Sequence, residues 1–153
     1  AEGVMKQAQE IGDEKNTTSY VKNLLSSGGR IMGFGHRVYK TADPRALILK
    51  IDAKNLSKRK GNPKWFGILQ SLAHCMEPYE KKGICENVDF WTGAIYNLLD
   101  IPDDIFVSIF ALARIPGWTA QIAEQFSNNI LIRPLLAYVG ELDNPYIKIE
   151  DRK

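Results

Sequence analysis

Gly28-Gly-Arg-Ile-Met-Gly-Phe-Gly-His-Arg-Val-Tyr-Lys-Thr-Ala-Asp-Pro-Arg45 is the stretch on which this chain of 153 residues is organised. It holds four glycines within eight positions, Gly28, Gly29, Gly33 and Gly35. Each glycine costs backbone entropy and fills no volume, so we expect them to serve positive φ angles or the close approach of a ligand rather than packing. They directly precede His36, which favours a ligand-binding loop, although a glycine-rich surface turn is the alternative.

Asp43-Pro44-Arg45 predicts the start of a helix, because Asp is a preferred N-cap and Pro fits the first helical position. Arg45 then falls in the first turn, where the positive end of the helix dipole disfavours a cation. An anion shared by the guanidinium and the helix terminus would remove this conflict, since helix N-termini bind carboxylates and phosphates. A solvated arginine is the alternative, and these residues alone leave both interpretations open.

The composition is that of an ordinary globular domain, with 44% hydrophobic and 25% charged residues. A net charge of +2 gives no case for nucleic-acid binding. We see no signal peptide, and no apolar run approaching the ~18 residues of a membrane span. Cys75 and Cys85 lack CxxC spacing, so we expect reduced intracellular thiols and no metal site.

Apolar residues at helical spacing predict an all-α chain. The first helix should end at Gly12, and Thr17 or Thr18 should cap the second. The third should begin at Asp43, and Asn87 should cap the fifth. The apolar residues of the third helix are Leu47, Ile48, Ile51, Ala53 and Leu56. A fourth helix should hold Trp65 to Met76, and a sixth should run from Ile105 to Ala113, break at Pro116-Gly117 and resume to Phe126.

Arg114 interrupts the apolar run of the sixth helix. An unpaired buried guanidinium would be strongly destabilising, so we expect Arg114 either to reach solvent near Pro116 or to pair with an anion. Asp89, by contrast, stands in the first turn of the helix that Asn87 caps. Any acidic residue gains a little from the helix dipole there, so its position alone indicates no function.

The segment Gly33-Phe-Gly-His-Arg-Val-Tyr-Lys-Thr-Ala-Asp-Pro-Arg45 closely resembles the signature of the citrate synthases, which include the 2-methylcitrate synthases. The resemblance continues in the family's order through Asn87-Val-Asp89, Phe110-Ala-Leu-Ala-Arg114 with Gly117-Trp118, and Ile132-Arg-Pro134. It implies that residues 1–97 form the family's helical small domain and residues 98–153 the C-terminal part of its large domain. It also implies that the chain is a C-terminal fragment of a longer protein.

The resemblance assigns catalytic roles to two residues. His36 would donate a hydrogen bond to the carbonyl oxygen of oxaloacetate and stabilise the oxyanion that forms there. Asp89 would take a proton from the methyl group of acetyl-CoA, and burial among Phe90 and Trp91 is expected to strengthen it as a base. A second catalytic histidine would precede Ala1, so little or no activity is expected of this chain alone.

Further residues are assigned by the same resemblance to substrate binding. Arg45 and Arg114 would bind the substrate carboxylates, and Arg133 would reach the active site of a partner subunit. Phe110 would pack against the dicarboxylate. Coenzyme A would lie along the backbone of the glycine-rich loop, at Ile31, Met32, Gly33, Phe34 and Gly35.

The function implied by the resemblance is an acyltransferase that condenses acetyl-CoA with oxaloacetate and water to citrate and CoA. Acetyl-CoA would be a co-substrate, and no cofactor or metal is expected. Propionyl-CoA, which would give 2-methylcitrate, differs by one methylene, worth only ~1–3 kcal/mol of discrimination. The alternatives are a non-catalytic helical ligand-binding module, which has no need of Asp89, and a relative of citrate lyase type. We expect a cytoplasmic homodimer that binds neither nucleic acid nor membrane.

Overall fold

The computed structural model describes residues 1–152, whose regular secondary structure is helical. Six α-helices occur in these residues: α1 (Glu2–Ile11), α2 (Thr17–Ser26), α3 (Pro44–Arg59), α4 (Lys64–Glu80), α5 (Val88–Leu98) and α6 (Phe106–Ser127). Short 3₁₀ turns occupy Glu14–Asn16, Asp103–Ile105 and Ile149–Asp151. The prediction of an all-α fold is confirmed.

The chain divides into two compact units, Ala1–Ile115 and the residues from Pro116 onward. The first unit contains α1 to α5 and the first part of α6. The second contains the rest of α6, followed by a largely irregular segment. The predicted domain boundary after residue 97 was taken from the family resemblance. The division into compact units does not test that boundary, which stays a prediction.

The core of the first unit is built mainly by α1, α4 and α5. The predicted apolar stripe of α4 is buried apart from half-exposed Trp65. From α5 the core receives Phe90 and Trp91, which meet edge to face with ring centroids 5.0 Å apart. From α1 it receives Val4, Met5, Ala8 and Ile11. The glycine-rich loop before His36 packs against this core, at Phe90 of α5.

The predicted starts of α3 and α5 are confirmed by their caps. Asp43 Oδ1 accepts a hydrogen bond from the backbone N–H of Arg45 at 3.0 Å, and Asn87 Oδ1 accepts one from that of Asp89 at 3.0 Å. The predicted threonine cap of α2 is wrong. Thr17 is the first residue of α2, and its N–H is already bonded to Glu14 O of the preceding 3₁₀ turn.

The side chain of Arg45 is held by the same carboxylate that caps α3. Its Nε donates to Asp43 Oδ1 at 3.0 Å and its Nη2 donates to Asp43 Oδ2 at 2.8 Å. Asp43 is buried, whereas 44% of the Arg45 side chain is exposed. The hydrogen bonds from the guanidinium lower the pKa of Asp43 from its ordinary value, against the effect of burial. The cap therefore supplies the anion that the cation at this helix N-terminus requires.

The face of α3 turned towards the core is not the one that its large apolar residues indicated. Ala46, Ala53 and Ser57 are buried, whereas Leu47, Ile48 and Ile51 are more than half exposed. α3 packs mainly against α5, and small residues on that face let the two helix backbones approach closely. The large aliphatic residues lie on the opposite face.

α6 differs from the prediction in its course. Pro116 and Gly117 lie inside one helix, Phe106–Ser127, so the predicted break is wrong. A proline inside a helix removes one hydrogen bond and can kink the helix without ending it. The stretch Asp103–Ser127 is also long and apolar enough, by length and composition, to cross a membrane. Arg114 interrupts the stretch, so it is not an unbroken apolar run. Helices that pack inside soluble proteins share this length and composition, so one such helix is weak evidence for a membrane span.

The glycines of the signature loop serve two purposes. Gly28, Gly33 and Gly35 have positive φ angles, as expected. The expectation that none serves packing is wrong at Gly29 and Gly33. A Cβ atom would clash with Leu24 Cδ1 at position 29 and would come within 2.7 Å of Phe90 Cδ2 at position 33. Phe90 packs against the loop because position 33 has no side chain.

Glu86 connects the segment before α5 to two helices. Its Oε2 accepts a hydrogen bond from Trp91 Nε1 at 2.5 Å, and its Oε1 lies 3.6 Å from Lys50 Nζ on α3. Lys50 Nζ also lies over the Trp91 ring, 5.2 Å from its centroid. Only 15% of the Glu86 side chain is exposed, so this polar cluster is largely shielded from water.

Replacing Glu86 by alanine should destabilise the fold by about 1–3 kcal/mol, because the indole N–H of Trp91 would lose its partner inside the protein. Urea unfolding of the wild-type protein and E86A measures the difference. E77A is the matched control, since Glu77 makes only an exposed pair with His74 and should change stability little. Equal effects of the two variants would contradict the structural role of Glu86.

Replacing Asp43 by asparagine should keep the helix cap, since Asn caps as well as Asp, and remove the ion pair with Arg45. We expect a loss of about 1–2 kcal/mol at neutral pH, allowing for the exposure of Arg45. The pKa of Asp43 is lower in the folded than in the unfolded protein, so its contribution is complete above pH ~4 and is lost as the pH falls through the folded value. Urea unfolding from pH 2 to 7 should show the two proteins converging in acid, and a constant difference would contradict this account.

Candidate active site

His36 stands in a tight turn directly after the glycine-rich loop. Its Nδ1 atom faces two backbone N–H donors, those of Val38 at 3.0 Å and Tyr39 at 3.1 Å. A ring nitrogen that accepts hydrogen bonds carries no proton, so the neutral ring has its proton on Nε2, an assignment made from the hydrogen-bond partners. The turn therefore fixes His36 as a hydrogen-bond donor through Nε2.

Arg45 brings a second donor to the same place. Its Nη2 atom lies 3.4 Å from His36 Nε2. Since a guanidinium only donates and Nε2 carries a proton, the two groups do not bond each other well but can share an acceptor oxygen placed between them. The hydrogen bond to Asp43, followed by smaller effects from Tyr39 and Asp89, raises the pKa of Arg45, so the cation persists at every physiological pH.

The loop before His36 is tied to the start of α5 by a short antiparallel pairing. Gly35 N donates to Cys85 O at 2.8 Å, and Asn87 N donates to Gly33 O at 2.8 Å, around a bridge between Phe34 and Glu86. The side chain of Asn87 adds a third connection, from Nδ2 to Gly35 O at 2.9 Å. Asn87 thus both caps the helix that bears Asp89 and holds the loop that bears His36.

Asp89 is placed differently from the expectation. Phe90 and Trp91 point into the core, whereas 52% of the Asp89 side chain is exposed, so it is not buried among them. The three residues are consecutive on a helix, and successive side chains point in different directions, 100° apart. The core residues Phe90 and Trp91 therefore do not shield the Asp89 carboxylate from water.

Two cavities share Asp89 as part of their wall. One, of about 550 Å³, is lined by the loop residues Ile31, Met32, Gly33, Phe34 and Gly35, together with Asn87. The other, of about 270 Å³, is lined by α5 and the start of α6, including Thr92, Phe106 and Phe110. Asp89 therefore stands between a cavity beside the glycine-rich loop and a more apolar one beside Phe110.

The remaining predicted site residues are distributed over both units. Phe110 lines the second cavity, and Arg114, one turn later on α6, lies with its guanidinium carbon 5.4 Å from the centre of the Phe110 ring. Arg114 is exposed, so its guanidinium reaches solvent in this chain. Arg133 is exposed in the irregular segment of the second unit, and its role stays a prediction.

The contacts by which Gln7 and Asp43 organise this site were not predicted from the sequence. The Gln7 amide on α1 accepts a hydrogen bond from Met32 N and donates one to Arg30 O, both at 2.8 Å, and so holds the loop backbone from a third element. No local pattern marks such a long-range partner. The ion pair between Asp43 and Arg45 was predictable from the sequence, because an Asp that caps a helix lies within reach of an Arg two residues later.

The comparisons with known proteins agree along the chain. A family model described as citrate synthase, C-terminal domain, matches residues 1–135. The citrate synthase of Synechocystis sp. is 43% identical over 152 residues, which cover 99% of this chain and 38% of that protein. The 2-methylcitrate synthase 1 of Corynebacterium glutamicum is 41% identical over 151 residues, which cover 99% and 39%. The chain spans about two fifths of the length of these curated relatives.

A solved structure extends the likeness from sequence to fold. It is a ternary complex of citrate synthase from Thermoplasma acidophilum with carboxymethyl coenzyme A and oxaloacetate. It is 36% identical to this chain and matches it with a TM-score of 0.82, over 99% of this chain and 41% of that one. The family model covers most of the chain, and its match agrees with the helical fold and with the order of the motifs. The chain belongs to the citrate synthase family.

Proposed function

We propose that the intact protein, meaning this chain together with the further sequence that its relatives carry, condenses acetyl-CoA with oxaloacetate and water to citrate and CoA. The observation that carries the proposal is the approach of two donors, His36 Nε2 and Arg45 Nη2, to 3.4 Å from each other. They follow a loop whose pairing with residues 85–87 joins it to the start of α5, the helix that bears Asp89. Two donors that bond each other poorly suit the oxygen of a ketone flanked by carboxylates. A binding module would need the donors but not Asp89.

The chemistry assigns one role to each group. Asp89 removes a proton from the methyl carbon of acetyl-CoA, giving an enol or enolate whose carbon attacks the ketone carbon of oxaloacetate. As the ketone oxygen gains charge, the Nε2–H of His36 donates to it more strongly than to the neutral ketone, which lowers the barrier. Hydrolysis of the resulting thioester releases citrate and CoA.

The two cavities beside Asp89 suit the two substrates. The cavity along Ile31, Met32, Gly33, Phe34 and Gly35 would take coenzyme A, with loop backbone groups as its contacts. The dicarboxylate would lie near the cavity beside Phe110. Arg45 and Arg114, which are not among the residues lining that cavity, would hold the carboxylates of the substrate. Asp89 between the cavities would then meet the acyl methyl group where the substrates join.

A second histidine is proposed to act from the sequence before Ala1, supporting the enol oxygen. This chain alone should then have little or no activity. We also propose that the intact protein is a cytoplasmic homodimer in which Arg133 enters the site of the partner subunit. No step of the proposed reaction requires a metal or a redox cofactor.

The first test is CoA release, measured by free-thiol formation, from acetyl-CoA and propionyl-CoA with the intact protein. We expect release that depends on oxaloacetate. The ratio of kcat/KM for the two thioesters decides between citrate and 2-methylcitrate formation, between which the relatives, 43% and 41% identical, do not choose. No release from the folded, intact protein with either thioester would overturn the catalytic proposal and favour a ligand-binding module.

Two isosteric or near-isosteric substitutions test the assigned roles. D89N removes the base, and H36Q removes the imidazole donor, so each should lower kcat by about 10²–10⁴-fold. D52N on the exposed face of α3 is the control and should leave kcat unchanged. Steady-state kinetics of the intact protein measures all three. A D89N enzyme with wild-type kcat would exclude Asp89 as the base.

A further inference from the structure

Tyr39 contacts both donors of the site. Its ring lies against the imidazole of His36, with centroids 4.7 Å apart and ring planes tilted by 35°. The guanidinium carbon of Arg45 lies 5.8 Å from the centre of the same ring. One aromatic side chain therefore touches the two groups that converge on the substrate oxygen.

The other contacts of His36 do not fix its ring by themselves. The backbone N–H groups of Val38 and Tyr39 select the protonated nitrogen, and they act on Nδ1 alone. Nε2 lies on the far side of the ring, so rotation of the side chain can still displace it. An aromatic ring against the imidazole face limits that tilt.

Arg45 is constrained in the same way from two sides. Asp43 holds Nε and Nη2 in the plane of the guanidinium, and the Tyr39 ring lies near its cationic carbon. A cation is attracted to the electron-rich face of an aromatic ring, so the tyrosine ring favours the orientation in which Nη2 approaches His36. A side chain without an aromatic face lacks this attraction.

We propose that Tyr39 is a positioning residue, whose ring holds the His36 imidazole and the Arg45 guanidinium in the one arrangement in which both donate to the same substrate oxygen. The inference rests on the proposed function for its catalytic consequence, and on the geometry alone for its structural content. Tyr39 contacts neither substrate in this scheme and transfers no proton. Its effect is exerted through the other two side chains.

The test compares Y39L and Y39M with Y39F in the intact protein. The non-aromatic variants should lower kcat about 10–100-fold and raise the KM for oxaloacetate, with the KM for acetyl-CoA unchanged, because a displacement of donors by about 1 Å has costs of this size. Y39F keeps the ring and should restore wild-type values. T41A, an exposed substitution in the same segment, is the control for general loosening of the loop.

A second measurement is independent of activity. With ¹⁵N-labelled histidine, the imidazole signals of His36, assigned by their loss in H36Q, should be sharp in wild type, Y39F and T41A, and broadened by motion in Y39L and Y39M. Wild-type kinetics and sharp signals in Y39L and Y39M would overturn the inference, as would equal defects in T41A. If the wild-type protein released no CoA, the proposed function would fail, while the ¹⁵N signals would still decide whether Tyr39 holds the ring.

Discussion

The antiparallel pairing of residues 33–35 with residues 85–87 is the constraint on which the candidate site depends. It brings the turn of His36 to the N-terminus of the helix that bears Asp89, although the two lie far apart in sequence. Half-buried backbone groups must find partners, and the amide of Asn87 satisfies one more of them while capping the helix. Loop and helix therefore share their hydrogen bonds and cannot be displaced separately without losing them.

The electrostatics of the site follow from placing a cation where a helix dipole disfavours one. The sequence left open whether Arg45 is solvated or shares a bound anion with the helix terminus. In the structure the buried carboxylate of Asp43 supplies the negative charge. The guanidinium has five N–H donors, and two of them donate to Asp43. Asp43 therefore holds Arg45 in place and leaves donors for a ligand.

The helix starts that the sequence predicted correctly are set by residues close to each other. The caps Asp43 and Asn87 act within two residues, and the motif identified the loop that bears His36. The buried face of α3 was predicted wrongly because it depends on how closely α5 approaches, which no local pattern encodes. The exposure of Asp89 was likewise missed, since burial was inferred from its sequence neighbours and not from the direction in which each side chain leaves the helix.

The half exposure of Asp89 has a consequence for how such a site can work. A carboxylate surrounded by water is a weak base towards a carbon acid, so catalysis needs the surrounding water removed. Exposed apolar side chains stand at the walls of its two cavities, Met32 in one and Val107 and Phe110 in the other. Covering them with substrate or with further protein is favourable, because it removes apolar surface from water. In the proposed reaction, the same covering would exclude water from Asp89 and so strengthen it as a base.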